Sequence, residues 1–220
     1  MRKGILGLVL GFALTSGQGC ASALESFEGP IVPLDLAVCS PEGEFTLEST
    51  NPYFPIEVGK RWTLEGGDER VQITVLDETE VVAGVITRVV EEREWQDGKQ
   101  KEVSRNFFAQ ASDGTVCYFG EEVDPEEGVW RADSPGSRPG IIMPGDPKLG
   151  MRFQMEVAPG LATDEGVVIE VGKTIKVPAG TFTETIVVLE VNPLEGEEEP
   201  KVFAPGVGLL VDEDLELVSY

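Results

Sequence analysis

Hydrophobic and polar residues alternate with a period of two along much of the chain. Val71-Gln72-Ile73-Thr74-Val75, Val167-Val168-Ile169-Glu170-Val171 and Thr181-Phe182-Thr183-Glu184-Thr185-Ile186-Val187 are also rich in β-branched residues, whose stiff side chains suit a pleated sheet. These segments predict strands. The 26 Gly and 15 Pro recur so often that no capped amphipathic helix of about 12 residues can be drawn. The fold predicted is therefore all-β, with at most a turn of helix before residue 50. Asp97-Gly98 and Asp113-Gly114 predict hairpin turns, since Gly accepts positive φ without a steric cost. Trp95 and residues 103–110 then flank the first turn as paired strands. In residues 181–187 the alternation puts Phe182, Glu184 and Ile186 on one face and Thr181, Thr183, Thr185 and Val187 on the other. Neither face is wholly apolar, which fits a solvated face or a wet, ligand-accepting one.

The pattern also repeats at long range. Gly59-Lys60-Arg61-Trp62-Thr63-Leu64-Glu65 recurs as Gly150-Met151-Arg152-Phe153-Gln154-Met155-Glu156, keeping Gly, Arg and Glu and exchanging aromatic for aromatic. Ala83-Gly84-Val85-Ile86-Thr87 answers to Ala179-Gly180-Thr181-Phe182-Thr183, and Phe108-Ala109 to Phe203-Ala204, in the same order. The reading is a duplicated four- or five-stranded meander, with repeat 1 over residues 51–120 and repeat 2 over 147–220. Two copies give about ten antiparallel strands in one domain, arranged as a sandwich of two sheets or a half-open barrel. Residues 24–50 form an N-terminal extension. Residues 121–146, with Pro at 125, 135, 139 and 144 and Gly at 128, 136, 140 and 145, form a crossover. Its Val129-Trp130-Arg131 and Ile141-Ile142-Met143 are apolar beyond the needs of a free linker, so it is expected to dock over one end of the sheets, as a structural element or as a binding loop.

The chain opens with Met1-Arg2-Lys3 and an apolar run over residues 4–16, too short for a lasting membrane span and typical of an export signal over residues 1–23. Ala21-Ser22-Ala23 fits cleavage before Leu24, whereas Gly19-Cys20 fits lipid attachment at Cys20. Either outcome leaves Cys39 and Cys117 as an even pair in an oxidising compartment, where one disulfide is expected. The location predicted is extracytoplasmic, secreted or periplasmic, with contact to a membrane only through such an anchor.

Composition then removes most chemistries. The formal net charge is −23, and all 40 acidic residues follow the leader. Such a surface repels phosphates, so no nucleic-acid partner is expected. Histidine is absent, which takes away the commonest general base and metal ligand. No Ser-x-x-Lys, Gly-x-Ser-x-Gly or phosphate-cradling Gly-rich loop is present. The expectation is a protein that is not an enzyme, has no cofactor and binds a small apolar ligand or an envelope or cell-surface partner. Two alternatives keep candidate residues. Glu121, Glu122, Asp124, Asp212 and Asp214 lie in acidic runs that suit calcium in residue type, although none follows the Asp-x-Asp-x-Asp-Gly pattern. Trp95, Tyr118 and Trp130 are candidate ligand or sugar contacts. A glycoside hydrolase using two carboxyl groups is a third, weaker reading.

Several segments carry a resemblance. Asn51-Pro52-Tyr53-Phe54-Pro55 with Gly59 and Trp62, Phe107-Phe108-Ala109-Gln110 with Asp113-Gly114, Tyr118-Phe119-Gly120-Glu121, Pro139-Gly140-Ile141-Ile142-Met143-Pro144, Val177-Pro178-Ala179-Gly180-Thr181-Phe182 and Ala204-Pro205-Gly206-Val207-Gly208 resemble a set of uncharacterised bacterial exported proteins and lipoproteins. The likeness runs from about residue 51 to 220. It implies export and β-architecture and brings no activity. Cys117 stands where that family more often has an aromatic residue, and Cys39 lies outside the shared region.

Overall fold

The computed structural model describes residues 22–124 and 129–220; the proposed leader, up to residue 21 with Cys20, lies outside them, as do residues 125–128. In chain order the strands are β1 (Val32–Pro33), β2 (Phe45–Thr46), β3 (Arg61–Gly66), β4 (Glu69–Val82), β5 (Val85–Gln96), β6 (Lys99–Ala111), β7 (Val116–Asp124), β8 (Trp130–Arg131), β9 (Gly140–Met143), β10 (Met151–Gln154), β11 (Glu165–Val177), β12 (Gly180–Asn192), β13 (Glu197–Ala204), β14 (Gly208–Asp212) and β15 (Leu215–Ser219). One 3-10 turn, Leu36–Cys39, precedes residue 50, with the Asp35 carboxylate accepting the Ala37 N–H. The fold is all-β.

All these strands belong to one large, mostly antiparallel sheet that is open rather than closed into a barrel. Its order is β1-β10-β11-β12-β13-β14-β15-β3-β4-β5-β6-β7-β8, with β2 on β6 and β9 on β7. The strand number exceeds ten because the extension supplies β1 and β2, the crossover supplies β8 and β9, and residues 147–220 hold six strands, β10 to β15. The runs β3 to β7 and β10 to β14 each pair strictly with their neighbours in sequence, as short turns favour. β15 joins them edge to edge, pairing Val211 with Glu216 on one side and Leu64 with Leu217 on the other. The sheet curls until the crossover meets the segment after β10, where Arg138 N donates to Val157 O at 2.9 Å. Gly140 is required at this approach, because a Cβ there would lie 2.1 Å from Met155 O.

Turn chemistry explains the long hairpins. Asp97 and Gly98 both take positive φ, 52° and 70°, between the paired Gln96 and Lys99, which matches the right-handed twist of the strands. Ala83 and Gly84 do the same, at 51° and 82°, between Val82 and Val85. In the other meander the two turn residues are Pro178 and Ala179, between Val177 and Gly180. Proline cannot adopt positive φ, so the two Ala-Gly pairs stand one residue out of step.

On β12 the expected alternation breaks at Glu184, whose φ is +54° and where the register to β11 shifts. Beyond it residues 185–190 are all buried, including Ile186 and Val187, which strict alternation places on opposite faces. The N-terminal segment supplies cover for the second face. Ala23 N donates to Glu198 of β13 at 2.7 Å and Val32 pairs with Met151 of β10, so the segment must cross β11 and β12, where Val167, Val187 and Leu189 are buried.

Cys39 and Cys117 form the expected disulfide, with Cα atoms 5.6 Å apart. It ties the extension to β7. No helix among the described residues is long and apolar enough to cross a membrane.

Candidate functional site

The curled sheet forms a cavity of about 60 Å³ that opens at one mouth. One water needs about 10–15 Å³, so the space takes a few waters or an alkyl group of a few carbons, with anything longer reaching out through the mouth. Its wall is built from period-two pairs, each on one strand: Ile73 and Val75 of β4, Val90 and Glu92 of β5, Asn106 and Phe108 of β6, and Lys201 and Phe203 of β13. Residues two apart share a face, so once one member turns inward the other must follow. Trp62 and Leu209 complete the apolar lining together with Ile142 of the crossover and Met155. Trp62 is fixed by its indole N–H, which donates to Val207 O at 2.7 Å.

The mouth is set by residues 53–56. Of the lining residues only Tyr53, Phe54 and Pro55 are partly exposed. This segment is anchored from below, because Asn51 Nδ2 donates to Gly114 O at 3.0 Å and to Pro144 O at 2.8 Å. Gln110 Oε1 accepts the backbone N–H groups of Thr50 and Asn51. Tyr53 Oη donates to Glu184 O at 3.0 Å, and the Phe54 ring packs edge-on against Phe108 at 5.1 Å.

Three polar side chains face the cavity: Glu92, Asn106 and Lys201. All are buried. Lys201 Nζ lies 3.2 Å from Glu190 Oε2 and 3.1 Å from Asp212 Oδ1. Burial alone lowers the Lys201 pKa, but Asp212, Glu190 and Glu199 outweigh it and hold the ammonium well above its usual value. Burial pushes Glu92 well above the carboxylate range; Glu94, Asp212 and Glu121 add to the rise and Lys201 opposes it. Glu190 is raised by burial against the pull of Lys201. Glu199 is pushed up to about 8 by burial and by Glu213 and Glu190, again against Lys201. The polar end of the cavity is thus lined by Glu92 and Lys201, with Glu190 and Asp212 set against the lysine behind the wall.

The residues singled out from the sequence occupy different places. Tyr118 and Trp130 are buried, in T-shaped contact at 5.0 Å. Neither ring presents a flat exposed face to a sugar, because β7 and β8 turn both into the core. Tyr118 instead stacks on Phe108 at 4.8 Å and donates to Asn106 Oδ1 at 2.6 Å, one layer behind the cavity wall. Trp95 lies at the far end of β5, half-buried, under the Arg70 guanidinium at 5.2 Å. Glu121 and Glu122 are neighbours on β7 and therefore point to opposite faces: Glu121 is buried, and Glu122 is exposed and pairs with Arg131 at 2.8 Å. Asp124 is exposed at the end of β7, Asp212 holds Lys201, and Asp214 lies in the exposed turn before β15. Among the described residues no three acidic or cysteine side chains gather in a metal-ligating group.

Glu92, Asn106 and Lys201 escape a reading from sequence alone. Their only signal is a polar residue placed two positions from an apolar one within a strand, and that pattern also describes a solvent face. Comparison with protein-family profiles, with curated proteins and with solved structures returned no match.

Proposed function

We propose that the protein is a non-enzymatic, exported β-protein that holds a small apolar ligand in the cavity between its two meanders. The carrying observation is the cavity itself: an aromatic and aliphatic lining with three convergent polar groups and a mouth at Tyr53 and Phe54. Ligand sites have this composition, apolar walls with a few placed polar groups. The lining contains one carboxyl group, Glu92, whereas a glycoside hydrolase needs two facing each other across a cleft. That favours binding over hydrolysis.

Export belongs to the same proposal. It rests on the basic and apolar start of the chain and is compatible with the Cys39–Cys117 disulfide, a bond that persists in oxidising compartments. The likeness to bacterial exported proteins and lipoproteins, the cleavage or lipidation alternatives at Ala23 and Cys20, and a duplication as the origin of the two meanders are parts of this reading. Native mass spectrometry of the full chain, purified from the envelope fraction of its own host, tests it. Extra mass that survives a calcium chelator supports a held ligand and shows whether Cys20 is acylated. Mass lost to the chelator points to calcium, and a bare chain starting at Leu24 favours a surface-partner role.

A further inference from the structure

The ligand reading leaves open what kind of head group the cavity takes. Lys201 is the basic side chain in the lining and at first sight suits a carboxylate, as in a fatty acid. Its surroundings argue otherwise. Lys201 lies within 3.2 Å of both Glu190 and Asp212, so its charge is already opposed twice. Glu92 faces the same cavity, and the charged groups that act on it most strongly are Glu94 of its own strand, Asp212 of β14, Lys201 of β13 and Glu121 of β7. Three of those four are acids. A ligand carboxylate entering here is a further anion in a buried, acid-rich pocket, and like charges at low dielectric are strongly disfavoured. An ammonium reverses the sign of every one of those terms: the three acids attract it, and Lys201, whose charge is already opposed by Glu190 and Asp212, repels it.

We infer that the cavity selects an amphiphile with an apolar tail and a cationic, N–H-donating head, the tail against Trp62, Val75 and Phe108 and the head toward Glu92 and Asn106. This rests on the apolar-ligand reading above and goes beyond it. The ammonium N–H groups donate to the Glu92 carboxyl at the cavity wall, and no covalent bond is made or broken. Asn106, whose Oδ1 accepts from Tyr118 and whose Nδ2 donates to Ser104 Oγ at 3.0 Å, is held in place beside it.

The test uses three probes of equal chain length, octylamine, octanol and octanoate, added to the full chain at pH 7. The change in intrinsic tryptophan fluorescence is the readout, because of the three tryptophans Trp62 is the one in the lining. Octylamine is expected to bind at least tenfold more tightly than octanoate, with octanol between them. Glu92→Gln is expected to bring the ratio of octylamine to octanol affinity to within threefold of unity. Octanol binding combined with octanoate binding as tight as octylamine overturns the head-group inference and leaves the apolar-ligand reading standing. Failure of all three probes overturns both. Because the wild-type comparison decides by itself, a misfolded Glu92→Gln variant does not rescue the inference.

Discussion

Lys201 and Asp212 are register partners across β13 and β14, and their side chains meet with Nζ 3.1 Å from Oδ1 inside the sheet. Removing one partner of a buried pair leaves a desolvated charge behind, at a cost of about 3–5 kcal/mol. Lys201→Met is therefore expected to lower the urea unfolding free energy by that amount. Adding Glu190→Leu to it should recover part of the loss, since an apolar filling no longer strands the Glu190 carboxylate. A single variant as stable as wild type contradicts the buried pairing.

Stability should fall as pH rises toward 8. Glu92, Glu190 and Glu199 hold their protons more firmly in the folded chain than in the unfolded one. From the ordinary carboxylate range up to about 8, the value reached by Glu199, the folded state thus binds more protons. Linkage makes their contribution full below the unfolded value and progressively lost above it. The raised values of Lys201 and Tyr118 act only at higher pH. Urea midpoints at pH 5.5 and pH 8 check this, the midpoint at pH 5.5 being the higher.

Reduction of the Cys39–Cys117 bond frees a loop spanning 78 residues. In the chain-entropy account such a link stabilises by at most roughly 4–5 kcal/mol. A Cys39→Ala/Cys117→Ala variant should unfold at a clearly lower urea concentration than the oxidised protein. Adding dithiothreitol should shift the wild type in the same direction and leave the variant unchanged.

Ala83 is a non-glycine residue at φ +51°, where a Cβ crowds the following carbonyl at a cost of about 1–2 kcal/mol. Ala83→Gly removes that strain at a turn that already needs positive φ. An increase of about 1 kcal/mol in unfolding free energy is expected, partly offset by the looser unfolded chain. Thermal denaturation of the two proteins side by side measures it.

Filling the cavity should separate binding from folding. Val75 is buried and faces the open volume, so Val75→Leu places one more methylene there. Cavity-filling changes commonly stabilise by about 0.5–2 kcal/mol. The variant should be at least as stable as wild type and bind octanol at least tenfold more weakly by tryptophan fluorescence.

The elements legible in the sequence are those whose cause is local. Asp97-Gly98 announces its hairpin because few other residue pairs take two positive φ values in succession. The single helical turn before residue 50 and the strands around Val71 and Val167 follow from period and composition. Cys39 and Cys117 read as a pair by parity once Cys20 is set aside with the expected leader. Trp62 reads as core because an aromatic residue follows Arg in both Arg61-Trp62 and Arg152-Phe153. Tyr118 and Trp130, by contrast, are aromatic residues whose exposure no local pattern reveals. Both turned out to be interior because β7 is covered on both sides, by β2 and the disulfide-linked extension near one end and by the crossover near the other.

The chain by itself determined that it forms strands, where many of them turn, which thiols pair, and that histidine chemistry is absent. Those properties depend on neighbours within a few residues or on composition. Only the tertiary structure decided which face of each strand is concave, and hence that Glu92, Asn106 and Lys201 line a cavity while Glu122 and Asp124 face water. That choice depends on pairings such as Leu64 with Leu217, remote in sequence, and on the N-terminal segment lying across β11 and β12. A pleat tells which residues share a side, and the curl of the whole sheet tells which side is inside.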